Sequence, residues 1–308
     1  MATVPYALYD AFTDRGFGGS QAAIVSDAAW IDSDTRLRIA REFGFPATCF
    51  VTDYSNDSVT VRFQSVEKEY PMCGHGTICL MTRMIDMGIF DWKDRERIDL
   101  QLRVGSSTSA VEIYKREDGR ANVMLDIKPP RFENAVPDAQ ILATLLGITA
   151  GDYYDKLPIE MAYGDFIHLV VPISSLDAMR RIAPDFSGLK KFCLDNSFET
   201  VAVFCREVKQ SEYDLHVRDF CPAVGANEAA AVGTTNAALT SYLIRHEVVH
   251  ADSGDQLIVL AEQGYEMNRP SSIRSVVTLR DGAINRLQVG GVATKILDGT
   301  LYLPDGGH

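Results

Sequence analysis

An α+β fold of two similar domains is the class this sequence predicts, on three observations. The chain of 308 residues exceeds one ordinary domain of about 100–200 residues. Short strand-like segments run along it, interrupted by a few long helical ones. The two halves also repeat an order: an alternating strand (Val59–Phe63; Leu215–Phe220), a turn holding Gly and Thr, then a long apolar helix (Thr77–Met87; Gly233–Arg245). That repeat predicts two domains facing each other, each offering a helix N-terminus to a shared cleft, the usual place for a small-molecule site. The Pro129-Pro130 break sets the division at 1–128 and 129–308, with the last strand free to return to the first domain.

Taken in order, Tyr6–Asp10, Ala22–Val25 and Cys49–Thr52 read as strands from their β-branched and aromatic content. Val59–Phe63 alternates apolar and polar residues as a half-buried strand does. Ile98–Arg103, Thr108–Lys115 and Ala121–Asp126 complete the first set. Asp34–Phe43 is helical, with Asp32, Ser33 or Asp34 as cap. In the second half Asp138 caps a helix to Leu146. Ile167–Val171, Thr200–Cys205, Asp214–Phe220, Leu257–Ala261, Ser275–Leu279, Arg286–Val289 and Gly299–Leu303 read as strands.

Composition excludes several function classes. A net charge of −12 opposes nucleic acid and anionic membranes, which both select basic surfaces. No apolar run approaches the roughly 18 residues of a membrane span. The first ten residues lack a basic segment followed by an apolar core, so no signal peptide is expected. The six cysteines (49, 73, 79, 193, 205 and 221) have no CxxC spacing. That pattern suits reduced thiols in the cytoplasm better than disulfides or zinc. His246 and His250 sit four apart, but Glu247-Val248-Val249 between them is no metalloprotease motif. That spacing leads to no expected metal, and no nucleotide cofactor is expected, since neither a Walker nor a Rossmann glycine pattern occurs.

Pro71-Met72-Cys73-Gly74-His75-Gly76-Thr77-Ile78-Cys79 carries the most chemistry. It lies where an extended segment gives way to a helix. A thiol there meets unpaired backbone N–H groups and the positive end of the helix dipole, which lower its pKa. The same amides, from Gly74 through Gly76 to Thr77, bind a carboxylate. A buried structural cysteine beside a turn is the plainer alternative, but Gly-His-Gly directly after it favours catalysis.

These residues resemble the PhzF-like (phenazine-biosynthesis-like) proteins, within the diaminopimelate epimerase and proline racemase fold group. The run from Tyr9-Asp10-Ala11-Phe12-Thr13-Asp14-Arg15 to Gly18-Gly19-Ser20-Gln21-Ala22-Ala23 is similar to that family's start. Glu69-Tyr70-Pro71-Met72-Cys73-Gly74-His75-Gly76-Thr77 resembles its central motif. Arg218-Asp219-Phe220-Cys221-Pro222, Gly225, Glu228 and Gly233-Thr234 fit its second motif without gaps. Gln263-Gly264, Arg269-Pro270-Ser271 and Val289-Gly290-Gly291 supply its C-terminal signature, so the likeness covers nearly the whole chain. The resemblance implies that each domain is a bent, mostly antiparallel sheet around a central helix. It also implies a cofactor-independent isomerase that moves a proton on a small carboxylate.

Two departures bear on mechanism. The family's catalytic Glu, in a Ser-Glu-Thr turn after the first helix, is Ala47 within Pro46-Ala47-Thr48. The Asp-Pro of its second motif is Ala229-Ala230, and Ala230 also falls where racemases place their second cysteine. Racemisation needs acid/base groups on both faces of a carbon, whereas a double-bond shift on one face needs only one. Cys73 is therefore the expected proton-transfer group, with His75 as hydrogen-bond donor, relay or simply a structural histidine. Glu228 is a second acid/base group, a surface residue or a partner of Arg218. Gly233, Thr234 and Thr235 hold an anionic oxygen or serve as ordinary helix starts. Ser20, where the family has Asn, is a substrate contact, and His168 matches a family histidine of structural or cleft-edge role. The combination of Ala47 with the Cys73 motif is similar to members that make alkyl-proline units of lincosamide and pyrrolobenzodiazepine antibiotics. An amino-acid racemase or epimerase, a hydroxyproline dehydratase and a non-catalytic ligand-binding relative remain as alternatives. A homodimer stays open.

Overall fold

A computed structural model describes residues 2–134, 138–250 and 256–304; the outer bounds 1 and 308 of the expected domains lie outside them. It divides into two compact units, Met1–Asp126 with Gly290–His308, and Ile127–Val289.

The first unit contains β1 (Ala2–Ala11), β2 (Ser20–Val25), α1 (Ser33–Phe43), β3 (Ala47–Tyr54), β4 (Ser58–Gln64), β5 (Glu69–Tyr70), α2 (Gly74–Asp86), β6 (Arg97–Val104), β7 (Ser107–Lys115) and β8 (Ala121–Asp126). The second contains β9 (Arg131–Glu133), α3 (Ala139–Leu146), β10 (Glu160–Tyr163), β11 (Ile167–Pro172), α4 (Leu176–Arg181), α5 (Phe186–Asp195), β12 (Thr200–Cys205), β13 (Leu215–Phe220), β14 (Glu228–Ala229), α6 (Gly233–Arg245), β15 (Gln256–Gln263) and β16 (Ser271–Arg280). β17 (Ala283–Gly291) carries the chain out of the second unit, and β18 (Ala293–Leu303) belongs to the first.

In the first unit β18 pairs antiparallel with β1, β1 with β2, β3 with β4, β6 with β7 and β7 with β8. Parallel pairs join β2 to β3 and β4 to β6, and β5 adds to the end of β4. α2 touches β1, β2, β3, β8 and β18. Strands from both ends of the order thus meet one helix, so the sheet bends around it. Residues Gly76 to Thr82 of α2 are all buried. Fully enclosed side chains such as Ile78 and Leu80 each stabilise the unit by about 1.5–3 kcal/mol. On the other face, α1 packs Ile39 against Phe50, Val25 and Val4. Among the three candidate caps it is Asp32 whose carboxylate accepts the Thr35 amide, at 2.9 Å.

The second unit repeats this order strand for strand. β9 pairs with β10, β10 with β11, β12 with β13, β13 with β14 and β15 with β16, all antiparallel. β11 pairs parallel with β12, and β13 with β15. β12 is buried throughout. Its Val201, Val203 and Cys205 join the cluster of α3, α4 and α5, while Ala202 and Phe204 join the cluster around α6. That is the period of two that a strand imposes.

Six elements were not expected from sequence: β5, β9, β10, β14, α4 and α5. α2 also begins at Gly74, three residues before the predicted start, because glycines disfavour helix in isolation. Its first turn closes when the Thr77 amide bonds the Cys73 carbonyl at 2.9 Å.

Candidate active site

Cys73 has extended backbone, φ −147° and ψ 106°, and stands as the residue before the first turn of α2. Its side chain is buried, and Sγ lies 3.6 Å from His75 Nδ1 and 3.7 Å from Nε2. Near-equal distances to both ring nitrogens single out neither as the partner.

The expectation of a thiolate at neutral pH is corrected by the structure. The Gly76 amide favours the ionised sulfur, but burial outweighs it and pushes the Cys73 thiol up to about 12. Sequence spacing placed the amide correctly and carried no measure of desolvation, which here dominates. His75 moves the other way: burial lowers its imidazole to about 4. At neutral pH both groups are therefore uncharged, one an acid and the other a base.

Gly76 is required by space. A Cβ there would meet Cys49 Sγ and Cys73 Sγ at 3.0 Å and Phe63 Cε1 at 3.2 Å. At Gly74 the nearest heavy atom to such a Cβ is Leu125 Cδ1, at 3.9 Å, so one side of the turn is open. Thr77 falls out of the expected set of anion-binding amides. Its N–H is spent on the Cys73 carbonyl, and its Oγ1 donates to the same oxygen at 2.8 Å. Ser20 starts β2, opposite Ala11. Gly19 before it has φ +53°, and a Cβ there would stand 1.8 Å from the Ala11 carbonyl oxygen, so only glycine forms this turn.

In the second unit Gly233, Thr234 and Thr235 form the first turn of α6, whose first helical bond runs from the Asn236 amide to the Val232 carbonyl. Thr234 Oγ1 is buried without a hydrogen-bond partner. Thr235 Oγ1 donates to Asp219 Oδ2 at 3.0 Å. Glu228 lies on β14 with both oxygens engaged: Arg218 Nε and Nη2 each donate to it at 2.9 Å. This is the Arg218 pair that sequence kept as one of three readings. Arg218 is held in turn by the Met179 and Ile182 carbonyls at 3.0 Å.

Asp219 was missed from sequence. It follows Leu215 and Val217 on the face of β13 that packs against α6, so a carboxylate there breaks the apolar face of a strand. That is a signal alternation alone carries.

Among the described residues no group of three or more His, Cys, Asp or Glu is arranged to hold a metal ion, and no helix is long and apolar enough to cross a membrane.

Residues 9–299 match the family described as phenazine biosynthesis-like protein. An uncharacterized isomerase of Mesorhizobium japonicum is 29% identical over 316 residues, covering 98% of this chain and all of the relative. A trans-2,3-dihydro-3-hydroxyanthranilate isomerase of Pseudomonas chlororaphis is 27% identical over 299 residues, covering 97% of this chain and 99% of that one. The crystal structure of a phenazine biosynthesis protein of the PhzF family from Bacillus anthracis superposes with a TM-score of 0.89 at 22% identity. It covers 98% of this chain and 100% of that one, which shows a shared fold.

Proposed function

As a member of the phenazine biosynthesis-like family the chain is an isomerase, and we propose that it shifts a proton, and a double bond with it, on a small unsaturated carboxylic or cyclic amino-acid-like acid. The observation that carries this reading is the pair of Cys73 thiol and His75 imidazole, 3.6 Å apart on one turn and both held neutral by burial.

In this reading His75 takes a proton from the carbon next to the substrate carboxylate, leaving a delocalised enolate. Cys73 S–H delivers a proton to the far carbon. The thiolate and imidazolium left behind then exchange a proton across the short gap, which restores the resting pair. A base with a pKa of about 4 is weak on its own. A substrate carboxylate close by raises its proton affinity, since an opposite charge favours the imidazolium. The amides of Gly74 and His75, at the positive end of α2, meet the charge that develops on the substrate. Within the second unit, taken by itself, the amides of Gly233, Thr234 and Thr235 form a helix start suited to an anionic oxygen.

Both proton-transfer groups stand on one turn, so they approach one face of the substrate. This supports a suprafacial shift over racemisation. The methyl at position 47 favours a substrate other than that of the hydroxyanthranilate isomerases, and a place in specialised, antibiotic-type metabolism. Turnover of a panel of small unsaturated acids in D₂O tests the reading. One deuterium is expected at the new sp³ carbon, with any existing Cα stereocentre retained. Scrambling of Cα in saturated amino acids would overturn it.

A further inference from the structure

The pairing registers let the two units be matched residue by residue. In the first, Ala22 pairs with Ala47, Cys49 with Phe63, and Phe63 with Tyr70. In the second, His168 pairs with Thr200, Ala202 with Asp219, and Asp219 with Ala229. Asp219 therefore stands where the first unit has Phe63, Thr200 where it has Ala47, and His168 where it has Ala22. Both central helices begin on glycine, Gly74 and Gly233, so Thr235 stands where the first unit has Gly76.

An apolar contact has thus become a polar one at the same place in the fold. Phe63 presses on Gly76 in the first unit, whereas Asp219 accepts a hydrogen bond from Thr235 in the second. Four ionisable or hydroxyl groups replace two methyls, a phenyl ring and a hydrogen. All four are enclosed: His168 is 2% exposed, Thr200 3%, Asp219 1% and Thr235 0%. Packing alone does not call for this, since enclosing an ionisable group is costly and an apolar residue serves at the matching position.

The surroundings of Asp219 define its behaviour. From β12 Thr200, itself bonded to His168 Nδ1 at 2.7 Å, and from α6 Thr235 favour the ionised carboxylate. Burial and the charge of Glu228 on β14 oppose it, and the result is a pKa raised to about 7. Arg218 neutralises that Glu228. His168 is held neutral, at about 4, and the neighbouring thiols of Cys193 on α5 and Cys221 are both pushed up and stay uncharged. Thr234 Oγ1 and Asn236 Oδ1 are buried atoms without partners, both on the first turn of α6. Unsatisfied polar atoms gathered this way mark a place completed by something else.

We propose that Asp219 is a positioning residue that couples proton uptake to the binding of an anionic substrate oxygen at the first turn of α6. The inference rests on the proposed reading of that turn as an anion holder. Ionised, Asp219 sets a negative charge against the turn through Thr235 and opposes the anion. Protonated, it leaves the amides of Gly233 to Thr235 and the helix dipole free to attract it. An anion thus arrives with a proton, and its affinity falls as pH rises through the Asp219 pKa.

The test follows amide NMR shifts of Gly233, Thr234 and Thr235 from pH 6 to 9, with and without benzoate, which stays ionised throughout. His75 and Cys73 titrate outside that window. In the wild type the three amides should titrate near pH 7, and the Kd of benzoate should rise about tenfold per pH unit above it, as when only the protonated fraction binds. Asp219→Asn should flatten both curves. Thr235→Ala keeps the carboxylate and removes the hydroxyl that favours its charge, so the carboxyl midpoint should move up. Benzoate binding that is independent of pH, or an unmoved midpoint in Thr235→Ala, overturns the coupling and leaves the anion-binding reading in place. No benzoate response at these amides at any pH overturns both.

Discussion

Cys49 and Cys73 press on one point from two elements: each sulfur lies 3.0 Å from where a Cβ on Gly76 would stand. Cys49 donates to the Gly76 carbonyl at 3.5 Å, and Cys73 receives the Gly76 amide. One glycine therefore fixes the height of the proposed catalytic sulfur above the helix.

Gly76→Ala should cost about 1–3 kcal/mol of stability, the usual penalty of overpacking, and displace Cys73 Sγ with a matching loss of turnover. Gly74→Ala should leave stability near the wild type, because its Cβ would make only ordinary contact with Leu125. Its effect should appear in KM, where a methyl narrows the open side of the turn. Thermal unfolding and steady-state kinetics on the two variants separate these outcomes. Equal stability of both would refute the packing account.

Cys73→Ser should keep the fold and lower turnover roughly 10²-fold or more, the weight of a positioned acid/base group. In the resting enzyme the thiol should be slow to alkylate at pH 7, since a pKa of about 12 leaves only about one sulfur in 10⁵ ionised. Mass-spectrometric mapping of iodoacetamide labelling against pH checks this. Rapid labelling of residue 73 at neutral pH would restore the thiolate that the sequence suggested.

His168 supplies a dependence of stability on pH. It is 2% exposed, and burial lowers its pKa from 6.5 to about 4. The unfolded chain takes up a proton below about 6.5 and the folded one resists until about 4. Stability is therefore full above 6.5 and declines as pH falls through this window, by about 3 kcal/mol at most. His168→Gln should remove its share of the slope between pH 6.5 and 4 in urea titrations, leaving the similar share of buried His75. An unchanged slope would mean that other groups carry it.

Much of this architecture was legible because long elements announce their period. α6 spans Gly233–Arg245, and β8 and β12 span Ala121–Asp126 and Thr200–Cys205, as the sequence predicts. β5 and β14 have two residues each, too few to show alternation, yet they supply the register that aligns the units. α5 hid behind Gly188, where a Cβ would stand 2.6 Å from Leu145 Cδ2 of α3. Tertiary contact chose that glycine against helix propensity. At the site, the sequence gathered Cys73, His75 and Gly76 onto one turn. The protonation states of Cys73 and His75 were not legible, because desolvation depends on what the fold places above and around a side chain. Asp219, by contrast, is readable in the sequence as the carboxylate that interrupts the apolar face set by Leu215 and Val217.

Ala47 yields the sharpest expectation. It opens β3, is fully buried and pairs with Ala22. The period of two sets it on the same face of β3 as Cys49, whose sulfur reaches Gly76 of α2. A carboxylate at this position would share the α2 side of the sheet with the Cys73 turn; a methyl group there can neither take nor return a proton. If the proton moves through Cys73 and His75 instead, it meets the substrate from a different strand-to-helix turn, and the carbon that reacts must lie elsewhere in the bound molecule. The unmodified protein should then fail to isomerise trans-2,3-dihydro-3-hydroxyanthranilate at a rate above background, while turning over a smaller unsaturated acid with one solvent deuterium incorporated. It should also leave free proline unracemised, because the second cysteine that the racemase resemblance implies is replaced by Ala230. Proton NMR of each substrate in D₂O reads all three outcomes in one set of spectra. Efficient turnover of the dihydrohydroxyanthranilate, or rapid exchange and inversion at Cα of proline, would show that the missing carboxylate is not what decides this enzyme's substrate.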